Sequence, residues 1–141
     1  VSLALALHDL KFRKKLKLNF IIAHFNHNLR GIESQKDADF VKDLAEKLNC
    51  SFEIENPKTP IQNQKGNLEE NARLARYKFL KDVAERFNAF AILTAHTQND
   101  QAETILFNLI RGSGLDGLAG ISPKRVVENT AQSQIVRPLL N

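Results

Sequence analysis

Helical and strand-like patterns alternate along this chain, and that order constrains its fold more than any other feature. Continuous apolar runs, typical of parallel strands buried on both faces, occupy residues 18–25 and 89–94. A shorter strand is predicted at residues 51–55, and residues 134–140 fit a last strand or an extended exit. Apolar residues at helical spacing fill the intervals. The alternation predicts an α/β fold, a Rossmann-like doubly wound parallel sheet with helices on both faces.

Four helices are predicted from the spacing of apolar residues. Residues 1–10 are apolar on nearly all sides, as expected for a helix buried against a sheet. The second helix is expected to begin with a capping box of Ser34 and Asp37. The buried stripes of the other three are predicted to be Val41, Leu44, Ala45 and Leu48; Leu68, Ala72, Ala75, Phe79 and Val83; and Ala102, Ile105, Leu106, Leu109 and Ile110. Residues 56–67, rich in proline and polar residues, are predicted to form a long loop that acts as a flap.

The segment from Thr94 to Thr104 carries the strongest functional signal. An apolar run stops at His96, and a helix then opens with Asp100 and Glu103. A spacing of three places both carboxylates on one face of the first helical turn, where free backbone N–H groups and the helix dipole favour negative charge. Open α/β sheets bind ligands at such strand ends. Thr97 and Asp100 also fit a capping box, so a purely structural role for Asp100 stays open.

Composition excludes several classes of protein. The 141 residues suit one domain, and the single cysteine, Cys50, excludes an internal disulfide framework and multi-cysteine metal sites. That cysteine content favours a cytoplasmic location. No apolar run approaches the ~20 residues that span a bilayer, so no membrane association is expected. The net charge of +4 and the isoelectric point near 9.3 permit a polyanionic partner.

A glycine motif at residues 112–117 matches the dinucleotide pattern G-x-G-x-x-G, but it follows a helix and not a strand. We therefore interpret it as the C-terminus of a helix, which ends at glycines that can adopt the left-handed backbone conformation. A compact turn is expected to follow, up to Gly120. The sequence contains no G-x-x-x-x-G-K-[ST], G-x-S-x-G or H-E-x-x-H motif. P-loop NTPases, common serine hydrolases and zinc proteases are thereby excluded.

Several single residues have a structural and a functional interpretation. His24, inside a strand, is typical of a hydrogen-bonded core histidine, whereas His27 and Arg30 follow the strand end and are better placed to contact a ligand. Glu69 and Arg73 are spaced for an ordinary i, i+4 ion pair on a helix surface.

Five blocks of the sequence resemble the tRNA(Ile)-lysidine synthase family in order and approximate spacing. They begin with H-F-N-H-N-L-R-G at residue 24 and L-E-E-x-A-R-x-x-R-Y at residue 68, and continue with T-A-H-x-x-N-D-x-x-E-T at residue 94, R-G-S-G-L-x-G-L at residue 111 and R-P-L at residue 137. The resemblance implies an adenine nucleotide alpha hydrolase-like (PP-loop) fold. It also implies an enzyme that uses ATP and magnesium to ligate free lysine to the wobble cytidine of an isoleucine tRNA.

Roles for individual residues follow from that resemblance. Asp100 and Glu103 would hold lysine or magnesium, with Asp100 as the metal ligand, and Arg73 or Arg76 would orient a carboxylate or phosphate. The nucleotide pocket would be lined by His24, Asn26, His27 and His96. Contacts with tRNA would come from Arg30, Arg111, Lys124, Arg125 and Arg137.

The sequence departs from that family at one point. The family's S-G-G-x-D-S phosphate loop and the strand before it have no counterpart ahead of the first helix. We therefore expect residues 1–141 to be a partial N-terminal catalytic domain that lacks its first strand and phosphate loop and is inactive by itself. The oligomeric state is not predicted.

Three alternatives remain. A tRNA thiolase of the same fold would need cysteines, commonly a C-x-x-C pair, and Cys50 stands alone. A small-molecule synthetase or amidotransferase relative would have no use for the R-G-S-G-L-x-G-L block. A non-catalytic nucleotide- or RNA-binding module would explain a lost phosphate loop.

Overall fold

The computed structural model describes residues 1–26, 32–56, 67–114, 118–126 and 134–140. Its helices are α1 (Ser2–Arg13), α2 (Ile32–Lys47), α3 (Leu68–Arg86) and α4 (Gln98–Ile110). Its strands are β1 (Ile21–Phe25), β2 (Ser51–Glu55), β3 (Ala91–Leu93), β4 (Lys124–Val126) and β5 (Gln134–Val136). The α/β class is confirmed. The chain divides into two compact units, Val1–Val83 and Ala84–Asn141, which are described separately.

The first unit is built on a parallel pair of strands. β1 and β2 run side by side from Ile21 opposite Ser51 to Phe25 opposite Glu55. The ladder continues one residue further, because the Asn26 N–H donates to the Glu55 carbonyl at 3.0 Å. The carboxyl end of β1 therefore places His24 and Asn26 at the edge where α/β domains bind ligands.

One face of α3 packs on β1 to form the core of the first unit. Phe25, Ala72, Phe79 and Val83 are buried together, and the rings of Phe25 and Phe79 lie 5.9 Å apart between centroids. The stripe predicted for the third helix is thus confirmed at its centre. Its first member, Leu68, is exposed at the start of the helix.

The second helix confirms its predicted stripe but not its predicted start. Ala45 and Leu48 are buried, and Val41 and Leu44 are half-buried. The helix already begins at Ile32, so Ser34 lies inside it and is not the N-cap. The prediction was wrong because capping-box spacing can recur within a first turn and does not fix the first helical residue.

The first helix is less buried than its composition predicts. None of its residues is buried, and its half-buried residues Leu3, Ala4, Leu7, His8 and Lys11 share one face. The prediction of a helix buried against a sheet was wrong in extent, because the described residues cover one face of the helix only in part. Among all described residues, no helix is long and apolar enough to cross a membrane.

The second unit contains a three-stranded mixed sheet in the order β3-β5-β4. β3 and β5 are parallel, with Ile92 opposite Ile135, whereas β4 runs antiparallel to β5. Both isoleucines are buried. The prediction of parallel strands alone missed β4, an exposed edge strand whose charged residues give no apolar signal.

The glycine motif ends α4 as predicted. The N–H of Ser113 donates to the Asn108 carbonyl at 2.9 Å, and the N–H of Gly112 donates to the Leu109 carbonyl at 3.0 Å. Gly112 has a φ of 71°, in the left-handed region that favours glycine. These bonds form a Schellman motif, which confirms a helix C-terminus in place of a dinucleotide loop. Residues 115–117 of the expected turn lie outside the described residues.

The side of α4 that packs inward differs from the predicted one. Its half-buried apolar and polar residues Gln101, Thr104, Ile105 and Asn108 share one face. Leu106, Leu109 and Ile110, predicted to be buried, are 58%, 51% and 85% exposed, and Ala102 is exposed too. The packed face is therefore turned by about 100°, one residue, from the predicted face. Apolar spacing gave no sign of the polar contact that Gln101 makes on the packed face, which is described below.

Candidate functional site

Polar residues cluster where β3 ends and α4 begins. The N–H of Thr94 donates to the Val136 carbonyl at 3.0 Å, which extends the β3–β5 ladder to the edge of the sheet. The Thr94 hydroxyl lies 3.0 Å from Nδ1 of His96, whose half-buried ring follows directly. Thr97 then follows as the N-cap of α4. This junction is the carboxyl end of a parallel strand followed by a helix N-terminus, which is where open α/β sheets bind ligands.

Asp100 caps the helix on which it sits. Its Oδ2 accepts the Thr97 N–H at 2.6 Å and the Thr97 hydroxyl at 2.7 Å. The capping box is confirmed. The Thr97 N–H bond, first, and then the hydroxyl bond lower the pKa of Asp100 below its ordinary value. Because the pKa is lower in the folded state, the carboxylate's contribution to stability is complete above about pH 4 and is lost as the pH falls.

Glu103 lies three residues after Asp100, just beyond the first turn of α4. It is exposed, whereas Asp100 is half-buried. At about 100° per residue the two side chains are separated by about 60° around the helix, so both carboxylates are reachable from one side. Oδ2 of Asp100 accepts both hydrogen bonds from Thr97, and Oδ1 of Asp100 accepts neither of them.

The predicted nucleotide-pocket residues of the first unit lie at the carboxyl end of β1. Asn26 is buried and His24 is half-buried. Burial lowers the pKa of His24, and the negative charge of Asp37 partly opposes that effect. His24 is therefore a neutral imidazole near pH 7, able to donate from one nitrogen and accept at the other. His27 and Arg30 lie outside the described residues.

We expect His24 to titrate below the ordinary histidine value of about 6.5. Since the folded-state pKa is lower than the unfolded one, neutral His24 contributes stability that is complete above that pH and lost as the pH falls. The imidazole proton signals, assigned by comparison with His24→Gln, measure this in an NMR titration. A His24 pKa above 6.5 would show that the charge of Asp37 outweighs burial.

Arg73 and Arg76 project from α3 with different surroundings. Nη2 of Arg73 lies 3.3 Å from Oε1 of Glu70, in an exposed i, i+3 pair. The predicted partner Glu69 was wrong, because i+3 and i+4 neighbours lie equally near on a helix and the side-chain rotamers decide between them. The guanidinium of Arg76 lies 5.8 Å from the centroid of the Tyr77 ring. The exposed ion pair between Arg73 and Glu70 contributes little to the stability of the protein, so Arg73 can exchange Glu70 for a stronger anionic partner.

The basic residues predicted to contact tRNA fall into two groups. Arg111 is exposed and its guanidinium lies 4.0 Å from the centroid of the Phe107 ring, which fixes its orientation at the end of α4. Lys124 and Arg125 are also exposed, and as successive strand residues they point to opposite faces of the sheet.

Arg137 differs from the other basic residues. It is only 7% exposed, its N–H donates to the Pro123 carbonyl at 2.9 Å, and its Nη1 donates to the Ser122 carbonyl. These contacts support a structural role for Arg137 in holding the segment before β4. The bond to Ser122 engages Nη1 of the guanidinium, which leaves that nitrogen less available to a phosphate.

The structure thus brings His96, Asp100 and Glu103 together at the β3–α4 junction. Sequence patterns did not predict the contact between α4 and the segment before β4, which is formed by Gln101, Gly120 and Ile121. Gln101 and Ile121 are joined by a hydrogen bond across 20 positions of the chain. No periodicity or short motif signals such a contact.

The donor set at the junction suits magnesium better than a transition metal. Across the described ranges, no group of three or more His, Cys, Asp or Glu residues could hold a metal ion. Magnesium commonly takes one or two protein carboxylates and completes its shell with waters and phosphate oxygens. Asp100 and Glu103 fit that requirement.

Polar residues lie at the carboxyl ends of β1 and β3, and β3 leads into a helix that begins with acidic residues. This arrangement is typical of α/β domains that bind ligands. The whole chain, residues 1–141, matches the family model of the PP-loop domain. The chain therefore belongs to the PP-loop domain family.

Curated relatives carry the name tRNA(Ile)-lysidine synthase. The protein from Clostridioides difficile is 37% identical over 133 residues, which cover 93% of this chain and 28% of the relative. The protein from Bacillus cereus is 39% identical over 141 residues, covering 99% and 29%. The protein from Wolbachia pipientis is 46% identical over 131 residues, covering 91% and 29%. The chain thus spans less than a third of the length of these relatives.

Proposed function

We propose that this chain is part of the ATP-using catalytic domain of a tRNA(Ile)-lysidine synthase, an enzyme that ligates free lysine to the wobble cytidine of an isoleucine tRNA. Membership of the PP-loop domain family supports ATP as the co-substrate. The name shared by relatives that match more than nine tenths of this chain supports the tRNA substrate. We further propose that the reaction takes place in the cytoplasm.

The proposed reaction has two steps. The oxygen on carbon 2 of the cytosine attacks the α-phosphorus of ATP, a new phosphorus–oxygen bond forms, and pyrophosphate leaves. A lysine amine, after losing a proton, then attacks carbon 2, and the carbon–oxygen bond breaks to release AMP. The first step is needed because that oxygen is a poor leaving group until it is adenylated.

The residues of this chain have distinct tasks in that chemistry. Asp100 and Glu103 would hold the lysine ammonium or a magnesium ion, and magnesium when bound would neutralise phosphate charge. Arg73 or Arg76 would orient the lysine carboxylate or a phosphate, a task that suits the planar guanidinium. His24, Asn26 and His96 would line the nucleotide pocket, and we propose the same role for His27.

The two carboxylates at the start of α4 are the observation that most supports this function. The start of α4 presents two carboxylates shortly after the end of β3: Asp100 lies in the first turn and Glu103 lies three residues further along the helix. The capping of α4 is a structural reason for an acid at Asp100. Glu103 is exposed and makes no such capping bond in the described structure. A pair of carboxylates at a helix N-terminus suits a cationic ligand, such as lysine or magnesium.

Incorporation of labelled lysine tests the proposal. The protein, expressed as its gene encodes it, is incubated with ATP, magnesium, radiolabelled lysine and an unmodified isoleucine tRNA transcript. Label is expected in acid-precipitated tRNA only when ATP is present, with AMP formed in equal amount. A transcript with its wobble cytidine changed to uridine is the matched control and should take up no label. Label without ATP, or equal label in the control, would refute the proposed reaction.

Binding of tRNA is expected to weaken steeply with salt, because lysine and arginine side chains release condensed counterions from phosphates. Arg111→Ala should reduce the slope of log affinity against log salt by about one. Lys124→Ala and Arg125→Ala test the other exposed candidates, Arg30→Ala tests a candidate outside the described residues, and Arg137→Ala, at a buried position, should not reduce the slope. Lys47→Ala is the control, since Lys47 ends α2 at the amino edge of the β1–β2 pair. Filter binding at several salt concentrations measures this, and affinity independent of salt would contradict it.

A further inference from the structure

Gln101 occupies the centre of the packed face of α4. Its side chain is half-buried on the face shared with Ile105, while Leu109 and Ile110 on the same helix are exposed. An apolar residue would bury more favourably at such a position, and a polar amide there requires hydrogen-bond partners. The position is therefore set by a specific polar contact.

That contact joins α4 to the segment before β4. The N–H of Ile121 donates to Oε1 of Gln101 at 2.6 Å. Gly120 lies against the same amide and has a φ of 63°, and a Cβ there would come within 2.7 Å of Nε2 and 2.8 Å of Oε1 of Gln101. The left-handed backbone favours glycine at this position, and a Cβ would displace the Gln101 amide from its present place.

The segment from Gly120 to Pro123 is also held from its other side. Arg137, directly after β5, donates to the carbonyls of Ser122 and Pro123. β5 in turn pairs with β3, whose end leads into α4. The first turn of α4 and the carboxyl edge of the sheet are therefore linked through this one segment, with Gln101 as the helix side of the link.

We propose that Gln101 is a positioning residue for the reaction, acting on Asp100 and Glu103 by fixing the first turn of α4 against the sheet. This inference rests on the proposed function. Gln101 itself is engaged with Gly120 and Ile121 and points about 100° away from Asp100 around the helix. It therefore sets where the carboxylates stand without touching the substrate.

Two variants of Gln101 separate positioning from simple stabilisation. Gln101→Ala removes the acceptor and should lower kcat/KM for lysine transfer about 10- to 100-fold. It should also raise the KM for lysine or the half-saturating magnesium concentration, while the KM for tRNA stays unchanged. Gln101→Glu retains an oxygen acceptor for the Ile121 N–H and should recover most of the activity. Gln98→Ala, the same change at an exposed position of the same turn, should behave as wild type.

A double-mutant cycle tests the contact itself. Gly120→Ala is expected to be less damaging to kcat/KM in the Gln101→Ala background than alone, because the clash with the glutamine is gone. If Gln101→Ala does not fold, Gln101→Asn takes its place, since it retains the amide but draws the oxygen back by one methylene.

Each remaining outcome decides between the two proposals. A lower kcat with every KM unchanged and no recovery in Gln101→Glu would overturn positioning, as would wild-type kinetics in Gln101→Ala. If Asp100→Asn and Glu103→Gln also retain lysine transfer, the assigned carboxylate roles fail as well. If those two variants are inactive while Gln101→Ala is normal, only the positioning role fails.

Discussion

Asp100→Asn and Glu103→Gln are each expected to lower lysine transfer by about 100-fold or more. Both substitutions preserve size and remove a negative charge near the start of α4. Asn at position 100 retains an amide oxygen that can accept the Thr97 N–H bond, so the cap survives while the charge is lost. Radiolabelled lysine on an unmodified tRNA transcript measures the loss.

Thr97→Ala is the matched control for Asp100. It removes the hydroxyl that bonds to the Asp100 carboxylate but leaves the charge in place, and it should cost about 1 kcal/mol of stability with transfer near normal. Near-normal transfer in both carboxylate variants would refute their assigned roles. An equal loss of stability and activity in Thr97→Ala and Asp100→Asn would instead show that Asp100 serves the cap alone.

Phe79→Ala is expected to have the largest effect on folding, lowering the free energy of unfolding by about 3–5 kcal/mol. Phe79 is 4% exposed and packs on Phe25, so its removal leaves a cavity between α3 and β1. Phe40→Ala, at a position 55% exposed on α2, is the control and should change the unfolding free energy little. Hydrogen exchange of the β1 and α3 amides measures both variants. Unchanged protection in Phe79→Ala would show that these residues do not form the core.

Local patterns predicted the elements that bury a continuous apolar surface. β2 has the predicted bounds, and α3 buries Ala72, Phe79 and Val83 as its spacing indicated. The glycines after α4 were also interpreted correctly, because a left-handed residue after a helix is a local backbone requirement. Patterns failed where burial depends on distant partners. The edge strand β4 has no apolar alternation, and the packed face of α4 carries Gln101 whereas Leu106 and Leu109 are exposed.

The candidate site was predictable only in part, for a related reason. Asp100 and Glu103 could be placed on one helical turn because the spacing of three is a property of the helix itself. The ion pair of Arg73 could not be assigned between Glu69 and Glu70, since both neighbours are within reach. The buried state of Arg137 and the Gln101–Ile121 bond depend on chain segments that meet only after folding.

The most direct test is mass spectrometry of the nucleosides from isoleucine tRNA after incubation with the protein, ATP, magnesium and lysine. Lysidine formation predicts that the wobble cytidine gains the mass of one lysine less one water, and that isotopically heavy lysine increases that mass accordingly. An unmodified cytidine after complete ATP turnover, or a nucleoside that has gained sulfur and no lysine, would contradict the assignment.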